Sequence, residues 1–407
     1  AYPPKFSSYI NSDIKFSEYE NEYNEIFNLA THEYSKLLKQ VTKRYREYFK
    51  PEKGNNSNES ALTARCLDTA RVILPTGVNT SLAYITSARE WARIISHMKS
   101  DNRKAIENLG EQLEILFAPP EDVCNQLNYV PEAPDLIKHT EANQNEYECL
   151  CKLEKILLNK KIISRNQFKK EFKQKVELIS DGYSPHLLLL YQYLLTFEPN
   201  LSPQDFCGIV SSLTKTEKKT ISKILFDKFD HHCQLGRQSE LSAYSFKISA
   251  TFSELKDLNR HRAWARFAPI WETDNISEII NNGFVLPLYL NIEEFSDLKK
   301  TTVDFLSRYY DKILAFHDKL PAEVNKKIIV NLLPSAHRID YYMHASPKEI
   351  SYLTNLRIKP GGHINYRMLA YLIAKEIGKV DPILGALSFE KDRKPDPDSR
   401  EEFFDRS

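Results

Sequence analysis

The chain has 407 residues, of which 42% are hydrophobic and 11% aromatic, which is enough for two or three folded domains. Lys and Arg number 56 against 55 Asp and Glu, so the net charge is +1 and no overall field favours nucleic acid or an anionic membrane. The apolar run at residues 187–190 is far shorter than the roughly 20 residues that a membrane-spanning helix needs. Because the first residues also lack a signal-peptide core, we expect a soluble, cytoplasmic protein with neither a nucleic-acid nor a membrane partner.

The six cysteines give little indication of a metal site. The patterns closest to one are Cys149-x-Cys151 and His231-His232-Cys233. Neither has a second pair of ligands at zinc-site spacing. We therefore expect no bound metal and free thiols in a reducing compartment.

Apolar residues recur at three- and four-residue spacing along much of the chain, and only 11 residues are glycine. This pattern predicts a mainly helical protein. A long amphipathic helix is expected at 22–49, and the helical pattern continues at 146–161 and 164–177. Alternating apolar and polar residues predict a strand at 244–253, with a second strand at 176–180. The expected fold class is α+β, predominantly helical.

Two stretches of the chain, residues 70–98 and 330–357, resemble each other at a constant offset of 259, the difference between positions 89 and 348. Both contain a Leu-Pro pair, after which Arg89 matches Lys348 and Glu90 matches Glu349. Each is expected to begin with an extended or irregular segment at the proline and to continue as a helix with a cation in its first turns. This is the pattern of a diverged tandem repeat. We refer to the two stretches as the first repeat and the second repeat.

Arg260, His261 and Arg262 stand side by side and are followed by Trp264 and Phe267. Three adjacent side chains do not share one helix face, so if all three are used they surround something bulky and polyanionic, such as a nucleotide cofactor. A solvated or ion-paired helix face is the plainer alternative. The alternation of basic and aromatic residues also leaves open a helical protein that binds RNA or DNA.

Taken together, these motifs resemble those of the flavin-dependent thymidylate synthases. The Arg-His-Arg triplet is similar to the start of that family's R-H-R-x-x-S-x-N-E-x-S-x-R-Y signature, and Gly236 and Ser239 are similar to its G-H-x-S turn. Both repeats resemble its C-terminal half. The resemblance implies tandem units, each with a small antiparallel sheet flanked by long helices.

The resemblance also divides the chain into segments. Residues 1–117 would be the C-terminal half of a first unit, residues 118–174 a helical linker, and residues 175–385 a complete second unit. The charged, proline-containing residues 386–407 are expected to be a disordered tail.

The activity that the resemblance implies is FAD-dependent methylation of dUMP to dTMP, with methylenetetrahydrofolate as one-carbon donor and NADPH as reductant. Arg357 matches the arginine that holds dUMP, and a guanidinium fork suits a phosphate or a pyrimidine carbonyl. No cysteine nucleophile is needed, and the catalytic residues are left unassigned. The positions that match flavin-contacting residues of the family are Arg260, His261, Arg262, Ser239, Arg89 and Ser87.

Downstream of Arg262 the chain departs from the family signature. Apolar residues at a nucleotide site leave polar groups of the substrate unpaired, at roughly 1 to 3 kcal/mol each. The positions where the family has Ser, Asn, Glu, Ser and Arg are occupied by Ala265, Phe267, Ala268, Ile270 and Glu272.

The first repeat has the converse loss, because Met98 stands where Arg357 stands in the second. We therefore expect one working composite site, formed by Arg357 and a signature segment upstream of Ala1 in the same protein, and a degenerate site around Arg260. Association of two chains as a homodimer would complete a set of four units. The alternative is a catalytically degenerate family member that acts as a scaffold or as a nucleotide- or flavin-binding protein.

Overall fold

The structure is a computed structural model. It describes residues 7, 14–15, 17–79, 83–101, 104–117, 121–128, 137–142, 173–230, 233–268, 279–280, 282–321 and 326–405. The helices expected at 146–161 and in most of 164–177 lie outside these residues, as do Cys149, Cys151, Ile270 and Glu272.

Helices make up most of the described structure, and the long helix expected at 22–49 is confirmed. No described helix combines the length and the apolarity needed to cross a bilayer. The helices are α1 Glu20–Phe49, α2 Asn56–Ala70, α3 Ala88–Lys99, α4 Lys104–Phe117, α5 Glu121–Leu127, α6 Pro185–Leu195, α7 Pro203–Ser212, α8 Lys215–Phe226, α9 Phe252–Leu258, α10 Ser296–Lys319, α11 Pro347–Arg357, α12 Ile364–Val380, α13 Pro382–Ala386 and α14 Arg400–Phe404.

The described strands form one antiparallel sheet of four strands in the order β1-β2-β4-β3. The strands are β1 Lys175–Ser180, β2 Tyr244–Thr251, β3 Ala265–Phe267 and β4 Arg338–Ala345. Both strands expected from the sequence are present, as β1 and β2. The fold class is therefore predominantly helical α+β, as expected.

Two strands were not expected. β3 has only three residues, too few for an alternating pattern to be recognised. β4 lies in the second repeat, in the segment that we expected to be extended or irregular. It alternates as a half-buried strand does, with Ile339, Tyr341 and Met343 buried.

One large hydrophobic core joins α1 to the second half of the chain. The buried residues of α1 recur every three or four positions, from Tyr23 to Phe49, which gives the helix one continuous apolar face. This face packs against α10, where the rings of Tyr23 and Phe316 lie 6.2 Å apart. Arg44 Nη1 and Asp297 Oδ2, 2.7 Å apart, join the opposite ends of the two helices, so α1 and α10 are antiparallel.

The two Leu-Pro motifs meet each other in a local two-fold arrangement. Their prolines form an isolated antiparallel bridge. Thr76 N donates to Leu333 O at 2.8 Å, and in return Ser335 N donates to Leu74 O at 2.7 Å. Thr76 and Ser335 are equivalent positions of the two repeats, and so are Leu74 and Leu333, so each bond is the counterpart of the other. Such reciprocal bonds are typical of a two-fold contact between equivalent surfaces. We call this contact the repeat seam.

The helices that follow the seam also correspond. Ser87 and Ser346 are the N-cap residues of α3 and α11, and each side chain accepts a hydrogen bond from the backbone N–H of the glutamate three positions later. The repeats differ between seam and helix, because the second contains β4 whereas the described residues 83–87 of the first contain no strand.

Gly77 provides a test of the repeat seam. A Cβ at this position would lie 2.8 Å from Asn331 Cβ and 2.8 Å from Asn331 O, so the two backbones approach too closely for a side chain. We expect Gly77→Ala to lower the free energy of unfolding by about 1 to 3 kcal/mol, as overpacking of a buried site does. Urea unfolding measures the effect.

Gly208→Ala is the matched control, since Gly208 lies within α7 and a Cβ there would meet nothing within 4 Å. This change should stabilise the protein by about 0.5 to 1 kcal/mol, because alanine loses less backbone entropy in a helix. Equal effects of the two substitutions would contradict the close contact at the seam.

The C-terminal segment is not the disordered tail that its composition suggested. Phe403 is buried and stacks on Phe49, with ring centroids 3.7 Å apart. The buried Arg65 donates from Nη1 to Gly362 O at 2.6 Å and from Nε to Phe403 O at 3.4 Å. Arg400 Nε donates to Phe49 O at 2.9 Å. The prediction was wrong because one buried aromatic side chain outweighs the charged residues around it.

Candidate functional site

The Arg260–Arg262 triplet lies in a turn between α9 and β3 and not on a helix. α9 begins directly at the end of β2, where Thr251 and Glu254 form a capping box that fixes the start of the helix. The helix ends at Leu258, and the chain returns to the sheet when β3 pairs with β4. We call residues 259–264 the triplet turn. It is fixed at one end by α9, which follows β2, and at the other end by β3.

An open pocket of about 600 Å³ lies between the triplet turn, residues 233–235 and α11. Pockets for small molecules commonly have volumes of roughly 300 to 1,000 Å³. Glu349 is the acidic side chain among the described residues that line it. The lining cations are Arg260, Arg262, Lys348, Arg357 and Lys359. We call this cavity the triplet pocket, and its excess of positive charge suits an anion.

The face of α11 that lines the pocket follows from helical spacing. Lys348, Tyr352 and Asn355 recur every three or four residues along the pocket wall, and Lys359 lines it just beyond the end of the helix. Leu353 points the other way and is buried in the core. One helix thus supplies both a core face and a polar, cationic face.

Arg357 and His261 are in direct contact in this pocket. Arg357 Nε donates to His261 Nε2 at 3.2 Å, and the Arg357 guanidinium carbon lies 5.4 Å from the centre of the Tyr366 ring. Burial, followed by the neighbouring charges of Arg357, Arg266 and Arg260, lowers the pKa of His261 from 6.5 to about 4. His261 is therefore neutral near pH 7, and its Nε2 carries no proton. This nitrogen accepts the hydrogen bond from Arg357 and so orients the arginine.

Arg266 was overlooked in the sequence, although it holds the triplet turn in place. Its Nη1 donates to Leu258 O and to His261 O, each at 3.0 Å. Its guanidinium therefore ties the start of the turn to its centre. The sequence does show an arginine four residues after the triplet. Our interpretation gave this arginine no role.

The pocket cations differ in how they are paired. Arg260 Nη2 lies 3.1 Å from Asp257 Oδ1, and Lys348 Nζ lies 2.7 Å from Glu240 Oε1. Arg262 is exposed and makes no ion pair with any of the described residues. Its guanidinium, with the unused donors of Arg260 and Arg357, is thus available to an anionic ligand.

Three further residues assigned by the resemblance do not line the pocket. Ser239 is fully buried, and its Oγ has no hydrogen-bond partner among the described residues. Its neighbour Glu240 reaches the pocket wall through Lys348. Arg89 and Ser87 are exposed at the start of α3, in the first repeat, where Ser87 serves as the N-cap.

Two arginines that we assigned to separate sites lie together in the structure. We expected Arg357 to serve a site separate from Arg260, but both line the triplet pocket. The reason lies in the sheet. The triplet turn follows β2 and α9, α11 follows β4, and β2 and β4 are neighbouring strands. Ala265 and Phe267 are exposed on β3, and neither they nor Ala268 line the pocket.

The pKa of His261 predicts a pH dependence of stability. The folded-state pKa of about 4 lies below the ordinary value of 6.5, so between these values the unfolded chain binds more protons. Stability should therefore fall as the pH drops from 6.5 towards 4, with a His261 contribution of about 1 to 3 kcal/mol once solvent screening is allowed for. His261→Gln should remove this contribution, as measured by urea unfolding at several pH values.

The exposed His97 offers a control, because His97→Gln should leave the pH profile of the parent unchanged. Parallel pH profiles for the parent and His261→Gln would show that His261 is not held neutral by its surroundings.

The described residues contain no cluster of three His, Cys, Asp or Glu side chains that could hold a metal ion. The described cysteines, Cys66, Cys124, Cys207 and Cys233, form no disulfide. Burial raises the pKa of the Cys66 thiol to about 11, which makes it unreactive near neutral pH.

No protein-family model matches the chain. It is similar to UPF0159 proteins from Chlamydia pneumoniae (20% identity, covering 86% of this chain and 62% of the relative) and Chlamydia muridarum (21%, covering 90% and 65%). A third UPF0159 protein, from Thermoplasma acidophilum, is 22% identical and covers 81% of this chain and 60% of the relative. The chain thus spans less than two thirds of the length of these relatives.

Among solved structures, the chain is similar to the UMP/dUMP methylase PolB from Streptomyces cacaoi. The complex with 5-Br dUMP has a TM-score of 0.41 and 16% identity, and it covers 56% of this chain and 100% of that chain. The complex with 5-Br UMP has a TM-score of 0.39 and 14% identity, with 56% and 99% coverage.

Proposed function

We propose that the protein methylates the uracil ring of dUMP with FAD as cofactor, and that the triplet pocket binds a nucleotide. The observation that carries this proposal is the contact between Arg357 and His261. The motif resemblance assigns the triplet to the flavin and Arg357 to dUMP. The fold joins these two motifs, 96 residues apart in the chain, at one wall of one pocket.

The chemistry of the lining fits a nucleotide phosphate. Arg260, Arg262 and Arg357 present guanidinium forks, which bind phosphate oxygens in pairs and also suit a pyrimidine carbonyl. Lys348 on α11 and Lys359 just beyond its end add point charges to the pocket wall. Neutral His261 accepts from Arg357 Nε without adding a charge, so the two Nη groups of Arg357 remain available to a ligand.

A bound flavin would supply the hydride transfer, while the protein binds and orients the substrate. Arg260 and Arg262 are the residues that would hold its diphosphate, and Arg357 would hold dUMP. Methylenetetrahydrofolate and NADPH are the one-carbon donor and the reductant in this proposal.

A second function is favoured by a specific observation. Ala265, Phe267 and Ala268 occupy positions that are polar in the family signature. A member with these changes could bind a nucleotide or a flavin without turnover and act as a scaffold or sensor. The two functions differ in chemistry but share the same pocket.

Three measurements distinguish these functions in the full-length natural protein. Visible flavin absorbance reports FAD, calorimetric titration reports dUMP binding, and tritium release from dUMP labelled at carbon five reports turnover. Binding with tritium release supports the methylation function, and binding without release supports the scaffold. If neither FAD nor dUMP binds, both proposals fail.

A further inference from the structure

Behind the triplet pocket, a row of alternating charges leads from the first repeat to the triplet turn. Asp68 Oδ1 lies 3.2 Å from Arg71 Nη1, and Arg71 Nη2 lies 3.9 Å from Asp257 Oδ2. Asp257 Oδ1 in turn lies 3.1 Å from Arg260 Nη2. We call these four residues the charge row. Only the last of them, Arg260, lines the pocket.

We propose that Arg71 is a positioning residue for the triplet pocket, which acts through Asp257 to hold Arg260 ready for an anion. The inference deepens the proposed function and rests on it in one respect, namely that Arg260 contacts the bound nucleotide. It assigns a role to the first repeat, which lacks a pocket arginine at Met98.

The exposure of the side chains supports this role. Arg260 is 63% exposed, whereas Asp257 is only 12% exposed. A free arginine side chain has many rotamers, and ligand binding has to remove that entropy. Anchoring one Nη atom on a fixed carboxylate removes part of that entropy beforehand, and the other guanidinium donors stay available to the ligand.

Asp257 in turn depends on Arg71. A largely buried carboxylate needs compensating charge, and Asp257 lies between the two guanidinium groups of Arg71 and Arg260. Without Arg71, Asp257 would bind Arg260 alone and neutralise more of the charge that attracts an anion. The buried His363 packs near these groups, but burial lowers its pKa and keeps it neutral, so it does not replace Arg71.

The position of Arg71 is fixed by the repeat seam. It begins the short 3-10 helix that leads into the first Leu-Pro motif, and the next residue, Val72, accepts a hydrogen bond from Ala336 N at 2.7 Å. At the matching place in the second repeat stands Val330, which is buried. The charge row is therefore asymmetric and serves only the triplet pocket.

A ligand-binding cycle tests the inference, with dUMP as the probe. Arg71→Met is expected to raise the Kd for dUMP by about three- to tenfold, and Arg71→Lys, which keeps the charge, should raise it less. In an Arg260→Met background, Arg71→Met should cause no further weakening, because its effect passes through Arg260. A purely structural role would instead add to the effect of Arg260→Met.

Arg44→Met is the matched control. Arg44 also forms an arginine–aspartate pair between distant parts of the chain, with Asp297, but it lies away from the pocket. Its Kd for dUMP should stay within about twofold of the parent. An unchanged Kd in Arg71→Met, or an additive effect with Arg260→Met, would overturn the inference.

Thermal unfolding of Arg71→Met, Asp257→Asn and the double variant tests the same coupling without a ligand. The Tm shift of the double variant should be smaller than the two single shifts combined, and additive shifts would overturn the inference. If the parent does not bind dUMP, the proposed nucleotide site fails, whereas a non-additive Tm cycle would still support the Arg71–Asp257 contact.

Discussion

Arg357→Ala is expected to abolish methylation of dUMP by the full-length natural protein and to raise the Kd for dUMP about 10- to 100-fold. The reason is that a charged hydrogen bond to a ligand contributes about 1.5 to 3 kcal/mol, and the loss of Arg357 leaves the ligand group without a partner. The substitution also removes the donor to His261 Nε2. Tritium release and calorimetric titration measure the two effects.

Two further variants complete this test. Arg357→Lys keeps the charge but not the planar fork, so it should recover only part of the affinity. Arg93→Ala removes an arginine from the exposed side of α3, where it pairs with Glu90, and should leave both measurements unchanged. Near-normal turnover in Arg357→Ala would exclude the triplet pocket as the catalytic site.

Phe403→Ala is expected to lower the free energy of unfolding by about 3 to 5 kcal/mol, the usual range for truncation of a buried phenylalanine. Its ring is 1% exposed and contacts the rings of Phe49, Tyr45 and Tyr289, so the change leaves a cavity between the C-terminal segment and α1. Urea unfolding followed by circular dichroism measures the loss.

Phe197→Ala is the control, because this ring is 70% exposed and the change should cost less than about 1 kcal/mol. If Phe403→Ala costs no more than Phe197→Ala, the C-terminal segment does not pack in solution. In that case the disordered tail expected from composition would be the better description.

Features that depend on local patterns could be predicted from the sequence. The spacing of apolar residues in 22–49 indicated α1, and alternation at 244–253 indicated β2. The Leu-Pro motifs revealed the repeat because the same turn chemistry recurs in each. The Arg-His-Arg triplet was recognisable because a predicted strand and the Gly236 and Ser239 motif precede it and the two Leu-Pro motifs accompany it.

Features that depend on long-range contacts could not be predicted. The contact between His261 and Arg357 spans 96 residues, and nothing near either residue specifies it. Without it, Arg357 was assigned to a separate site. The ordering of the C-terminal segment likewise depends on Arg65 and Phe49, which lie more than 300 positions earlier in the chain.

The two repeats have kept their contact with each other while they diverged in chemistry. The repeat seam keeps reciprocal backbone hydrogen bonds, which any side chain permits. The cationic face is present on α11, with Arg357, and its counterpart α3 carries Met98 at the same position. In the proposed function, the second repeat therefore binds the nucleotide and the first repeat supports it.

Hydrogen–deuterium exchange with and without dUMP tests the central claim, that one pocket built from the triplet turn and α11 binds the nucleotide. We predict slower exchange in residues 258–264 and 351–359 together on addition of dUMP, with no change in residues 83–99 of the first repeat. Protection confined to residues 83–99, or no protection in either pocket segment, would contradict the claim.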